Sequence, residues 1–190
     1  MVHLRILAVV GLVLAMGVGC AVTEPDDSDT SRVRAAFGEG ADVSIPGLAS
    51  ELGISQVAVV EAMPESMRVA LPTNDLPALL PAVCEVGPVS VRFAGVVGGS
   101  SVMFEGRVSV HSFTDDRLVL QGEGGSPSID LSPHGLAYVS LVRTPPGRGD
   151  GSGRWVYFFG SAGEPVMVWG VPGDPAAIRA FDRLWSRFAQ

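Results

Sequence analysis

The spacing of apolar positions divides the chain into distinct stretches. Residues Ile6 to Val18 carry no charge; Arg5 precedes them and Gly19-Cys20 follows. Residues 21–43 hold Glu24, Asp26, Asp27, Asp29 and Glu39 among Ser, Thr and Gly, without a hydrophobic period, which predicts a solvated segment. From Pro46 to Val83 the period is helical. Pro46 opens a first helix with Leu48 and Leu52 on one face, and Gly53 closes it. Ser55 caps a second, in which Val57, Val60 and Met63 recur until Pro64 stops it. A third is predicted over 75–83, with Leu76, Leu79, Leu80 and Val83 facing the core.

From Val86 the period becomes two. Strands are predicted at 88–94, 101–105, 107–112, 117–121, 136–143, 154–159 and 165–171, with Gly-, Asp- or Pro-bearing turns between them. Val108 and Val110 alternate with Arg107, Ser109 and His111, giving one buried and one wet face. Trp155, Tyr157 and Phe159 alternate with Val156 and Phe158, so that strand is apolar on both sides and belongs in the middle of a sheet. Asp174 caps a last helix and Pro175 opens it; Ile178, Phe181, Leu184, Trp185 and Phe188 form its apolar stripe. The order predicts an α+β fold: short N-terminal helices, a large antiparallel sheet of about seven to nine strands, and a C-terminal helix packed on the sheet.

The N-terminal stretch has the layout of a secretory signal: a basic start, a 13-residue apolar run and small residues before the cut. Ending on Cys20, it resembles a bacterial lipoprotein signal, whose Cys is lipidated and becomes the new N-terminus. The usual Leu three places before the Cys is replaced by Gly17. The organisation expected is a signal peptide over 1–19, the lipidated Cys20 with a disordered acidic tether over 20–43, and a folded domain over 44–190. That places the domain in the cell envelope, attached to the membrane through its lipid.

Composition narrows the chemistry. Thirteen Arg and no Lys stand against twenty acidic residues, for a net charge of −7 that becomes −8 once Arg5 is removed. This balance disfavours nucleic acid. The helix–Gly–helix unit around Gly53 has the outline of a DNA-reading helix-turn-helix, but its charged residues are Glu51, Glu61, Glu65 and a single Arg68. Two Cys 64 positions apart exclude a zinc ribbon and a Cys–Cys redox motif. Without Lys there is neither a Schiff base nor a P-loop, and no Gly-x-Ser-x-Gly elbow occurs. Cys84 with His111 or His134 is the one conceivable nucleophile pair, against the plainer reading of an inert buried thiol. The Arg-Gly-Asp triplet at 148–150 lies in a Gly-rich hairpin loop and carries no weight.

The segment Leu52-Gly-Ile-Ser-Gln-Val-Ala-Val-Val-Glu-Ala-Met-Pro-Glu-Ser-Met-Arg68 resembles the opening of the ChuX/HutX haem-carrier family, with its Gly-x-Ser-x-x-x-Val-x-x-Ala-Leu-Pro-Glu-Glu-Met pattern. Pro72 and its following helix, Val86-Gly-Pro-Val89, Phe104-Glu-Gly106 and Phe158-Phe-Gly-Ser-Ala-Gly-Glu-Pro-Val-Met-Val168 continue the resemblance in order. The resemblance implies a non-enzymatic, homodimeric carrier of haem. Two features depart from it. The export signal would move the protein out of the cytoplasm, where the family works. Moreover, the positions matching the family's iron-ligating side chains carry Ala94, Arg117 and Ser128. His111, His134, Tyr138 and Met103 are the remaining donors near haem, if it is bound. The expected partner is a small apolar or tetrapyrrole ligand in a retained pocket; the alternative is a protein-interaction lipoprotein that binds no haem.

Overall fold

In a computed structural model of the chain, residues 26–38, 43–94, 101–114, 117–122, 128–145 and 153–189 are described; for residues 93, 94, 101–105, 111, 128, 129 and 131 this covers the backbone alone. The expected signal peptide and Cys20 lie outside the described residues. Among the described residues, five α-helices and nine strands form an α+β fold, the class expected. The helices are α1 (Asp27–Gly38), α2 (Ile45–Leu52), α3 (Gln56–Ala62), α4 (Leu76–Cys84) and α5 (Pro175–Phe188). The strands are β1 (Arg68–Leu71), β2 (Val89–Ala94), β3 (Ser101–Gly106), β4 (Val108–Phe113) and β5 (Leu118–Gly122), then β6 (Ser128–Leu131), β7 (Leu136–Arg143), β8 (Arg154–Gly160) and β9 (Pro165–Gly170).

The nine strands are shared between two antiparallel sheets. Six run in the order β1-β7-β8-β9-β2-β3, and β4-β5-β6 form a second sheet. The aromatic strand β8 is central, as its two apolar faces require. Tyr157 is 5% exposed on one face and Phe158 fully buried on the other. One face of the large sheet presents Val91, Val139, Leu141, Val156, Phe158 and Trp169 to α4, α5 and the small sheet's Val108, Leu118 and Leu120. The opposite face presents Val142, Tyr157 and Phe159 to the α1–α3 layer.

Local signals set the helix ends. The Gly47 N–H donates to Ser44 Oγ at 3.1 Å and the Ala58 N–H to Ser55 Oγ at 3.2 Å, so each serine satisfies an orphan donor of its helix start. Gly53 ends α2 with φ +69°, a left-handed turn that glycine adopts without strain. The Ala176 and Ala177 N–H groups both donate to Asp174 Oδ1 at 3.0 Å at the start of α5.

One expectation is corrected. Residues 27–38, assigned to the disordered tether, form α1, and its Val33 and Phe37 are 0% and 1% exposed. These two apolar residues, four apart on one helical face, are enough to dock an otherwise polar helix onto α2 and α3. The folded body therefore begins at α1 and not at residue 44.

Candidate functional site

Cross-strand register orders the helix-facing side of the large sheet into rows. One row runs Arg68, Val142, Trp155, Gly170, Ser90 and Glu105; the next runs Ala70, Ser140, Tyr157, Val168, Arg92 and Met103. The α1–α3 layer covers the β1-β7-β8 side of these rows. Toward β9, β2 and β3 burial falls away: Val168 and Ser90 are half-buried and Arg92 is exposed. Trp155 sits at the border. A Cβ on its cross-strand partner Gly170 would stand 2.7 Å from Trp155 Cζ3, so the indole lies against bare backbone. Trp155 and Val168, both half-buried at the edge of the α1–α3 core, thus share one face of the sheet with the exposed Arg92. Such a surface can stack a planar apolar molecule and pair with its anionic substituent.

Of the four donor candidates, Met103 alone belongs to this end of the sheet, in register with Arg92, and Ala94 lies two residues beyond Arg92 on the same strand. Tyr138 is elsewhere. It faces the same side from β7, four strand steps from β3, or roughly 19 Å at the usual strand spacing. Its ring packs at 5.7 Å from Phe159 beneath the helices. Its hydroxyl is buried without a hydrogen bond of good geometry. Burial, the largest cause, raises its pKa although Arg68 and Ser140 lie near, and a phenol kept neutral is a poor iron ligand.

The histidines belong to other parts of the fold. His134 is exposed in the short turn Pro133–Gly135 before β7. His111 falls at the irregularity in β4, where the register with β5 shifts between Val110 and Ser112. The strict alternation expected for this strand stops there, because a bulge inserts one residue and turns the following side chains over. The four candidates therefore do not converge on one iron site.

Arg117 and Ser128, at two positions where the family resemblance expects donors, lie at opposite ends of the β5–β6 pair. Ser128 is in register with Gln121, so about 14 Å of strand separates them. Arg117 is committed to a salt bridge: its Nη2 donates to Asp130 Oδ2 at 2.6 Å and its Nε to the same carboxylate at 3.0 Å. That hydrogen bond holds the Asp130 carboxyl below its ordinary range and raises the guanidinium's pKa. An arginine so held supplies no electron pair to iron.

Cys84 ends α4 half-buried, and desolvation, with the backbone hydrogen bond at Val110 opposing it, pushes its thiol up to about 11. It is the inert thiol that its apolar helix suggested. A shallow hollow of about 300 Å³ lies away from the Trp155 surface, lined by Arg68, Val69, Trp185 and Phe188 among others. It is at the lower limit for a small-molecule pocket. None of Trp155, Val168 and Arg92 lines this hollow.

No protein-family profile and no curated protein matches this chain. Solved structures do. A protein from Erwinia carotovora is similar over 82% of this chain and 98% of its own, with a TM-score of 0.69 and 17% identity. The heme-binding protein ChuX is similar over 83% of this chain and 99% of its own, with a TM-score of 0.65 and 13% identity. ChuS, described as an E. coli heme oxygenase, matches over 82% of this chain but 48% of its own, with a TM-score of 0.62 and 14% identity. The chain thus has the ChuX fold and spans about half of ChuS. ChuS also overturns one expectation. A fold shared with a heme oxygenase is not confined to carriers, so non-enzymatic character does not follow from it.

Proposed function

We propose that this protein is an envelope-tethered binder of a flat, apolar, anionic ligand of the tetrapyrrole class, held on the open end of the sheet face. The observation that carries this reading is Trp155 lying on Gly170, with Val168 and Arg92 on the adjoining strands. The ring plane would stack on the indole and Val168, and Arg92 would pair with a carboxylate at its edge. Haem is the first ligand to test, because ChuX is described as a heme-binding protein. Iron coordination is secondary here, since Arg117 is occupied and the other donors are dispersed.

Tethering rests on the sequence from Met1 to Cys20. With α1 folded onto the domain, six residues separate Cys20 from Asp27, a reach of at most about 25 Å. The domain would then stay close to the bilayer. Pairing of two copies is supported by the comparison lengths: one chain spans nearly all of ChuX and about half of ChuS.

Protoporphyrin titrated against tryptophan emission tests the site. Quenching by the native chain that weakens at least tenfold in Trp155→Ala is expected. Equal quenching curves for both proteins would place the ligand elsewhere.

A further inference from the structure

The helix α5 carries a second surface. Arg179, Arg183 and Arg187 follow one another at intervals of four residues and are all exposed. None makes an ion pair with a described residue; Arg187 lies 5.3 Å from the centre of the Phe188 ring. The one acid within the helix, Asp182, is turned to the sheet. Its Oδ1 accepts from Arg143 Nη2 at 3.0 Å and from Arg154 Nε at 3.1 Å. Those two arginines are direct cross-strand partners, so one carboxylate serves two adjacent cations. The Arg143 guanidinium also stacks 4.1 Å over Trp185 of the same helix. Five arginines therefore lie on or beneath α5, against Asp182 and the N-cap Asp174, in a protein whose net charge is −7.

In the α1–α3 layer on the other side of the sheet, Asp27, Glu51 and Glu61 are exposed; α2 and α3 contain no basic residue, and α1 carries the exposed Arg32 and Arg34, the first paired with Glu51 at 3.3 Å. The three exposed arginines stand on a helix whose apolar stripe is packed against the sheet. This surface has charge to offer and little uncovered apolar area, which suits a layer of anionic headgroups better than an apolar groove partner.

We infer that the α5 face, through Arg179, Arg183 and Arg187, docks on an anionic phospholipid surface. The inference rests on the tethering in the reading above, because a chain held within about 25 Å of a bilayer needs few charges to settle one face on it. Arginine suits the role, since its planar fork pairs with phosphate oxygens two at a time. The docking would leave Trp155 and Arg92 on the opposite sheet face, clear of the headgroups and open to ligand.

The test is co-sedimentation of the chain from Ala21 onward, which keeps every described element but has no lipid. Vesicles of equal phosphatidylglycerol and phosphatidylcholine are compared with phosphatidylcholine alone at low salt. The expected result is binding to the anionic vesicles alone, lost at least tenfold in Arg179→Glu/Arg183→Glu/Arg187→Glu and kept in the matching triple Lys variant. Arg32→Glu/Arg34→Glu on α1 is the control and should bind as the native chain does. Absence of binding by the native chain, or equal binding by the triple Glu variant, would overturn the inference; the first outcome would leave an acidic protein as the better partner. A thermal melt of each variant confirms folding. Protoporphyrin quenching by the triple Glu variant should match the native curve, so loss of lipid docking and loss of the ligand site are read separately.

Discussion

Trp155 and Gly170 are cross-strand partners on β8 and β9, and the indole of the first fills the space where the second has no side chain. A Cβ at 170 would meet the rigid ring at 2.7 Å and would have to displace it. Gly170→Ala should therefore lower stability by roughly 1–3 kcal/mol and weaken protoporphyrin binding along with it. Urea denaturation followed by tryptophan emission measures the first effect, and a change in the folded-state emission of Trp155 accompanies it. Unchanged stability and emission would mean that the ring is not held on that glycine.

The extension of the folded body to α1 has its own test. Phe37 is 1% exposed among Ile45, Val60 and Met63, so Phe37→Ala should cost about 3–5 kcal/mol. A surface change on the same helix, Arg34→Ala, should stay within about 0.5 kcal/mol. If Phe37→Ala were as mild, α1 would be an accessory to the domain.

Asp182 holds two like charges that face each other across β7 and β8. Its removal leaves Arg143 and Arg154 in register, with side chains 33% and 22% exposed. Asp182→Ala should destabilise the protein by about 1–2 kcal/mol, a value reduced from that of a fully buried network because solvent screens it. The loss should be smaller in Asp182→Ala/Arg143→Met, where the repulsion is gone. A double-mutant cycle by thermal melting checks this.

Cys84 should resist thiol reagents in the folded state. Its pKa is raised from 9.0 to about 11, chiefly by burial, so the neutral thiol dominates and the nucleophilic thiolate is scarce at about pH 8. The sign for stability follows: the contribution is intact below pH 9 and declines as pH rises toward 11, because the unfolded chain ionises first. Labelling at about pH 8 should be slow and accelerate with urea along the unfolding curve. Rapid labelling of the folded protein would contradict the buried assignment.

Much of the fold could be read in the residues because local signals agreed. The Pro46 opening, the Ser55 cap, the Gly53 stop and the Asp174-Pro175 start lie where helices begin or end. The missed elements are those with weak local signals. β1 and β6 have four residues each, too few for a period to register, and their pairing with β7 and β5 is non-local. α1 is polar overall, and just two buried side chains dock it. The site was less legible. Met103 and Ala94 lie at the same end of the sheet as Arg92, but Trp155 and Arg92 were read as sheet residues, because only register reveals that a glycine and a valine lie between them. The alternation expected through His111 missed the irregularity between Val110 and Ser112, since nothing local announces a bulge.

Anchoring is open to a simple fractionation. Lipidation at Cys20 would bury acyl chains worth about 0.8 kcal/mol per methylene, effectively a permanent attachment. Cys20→Ala should release the protein to the soluble fraction or leave its precursor uncut. Equal retention of both forms after a carbonate wash would exclude the lipid.

The most direct test of the whole account is a side-by-side titration of the chain with haem and with iron-free protoporphyrin, followed by absorption. If the sheet face and Arg92 hold the ligand, the two should bind within tenfold of each other, a difference of about 1.4 kcal/mol. Arg92→Glu should weaken both, and His111→Ala and His134→Ala should weaken neither by more than that factor. Haem binding with a sharp Soret band that either histidine substitution abolishes, while protoporphyrin fails to bind, would contradict it.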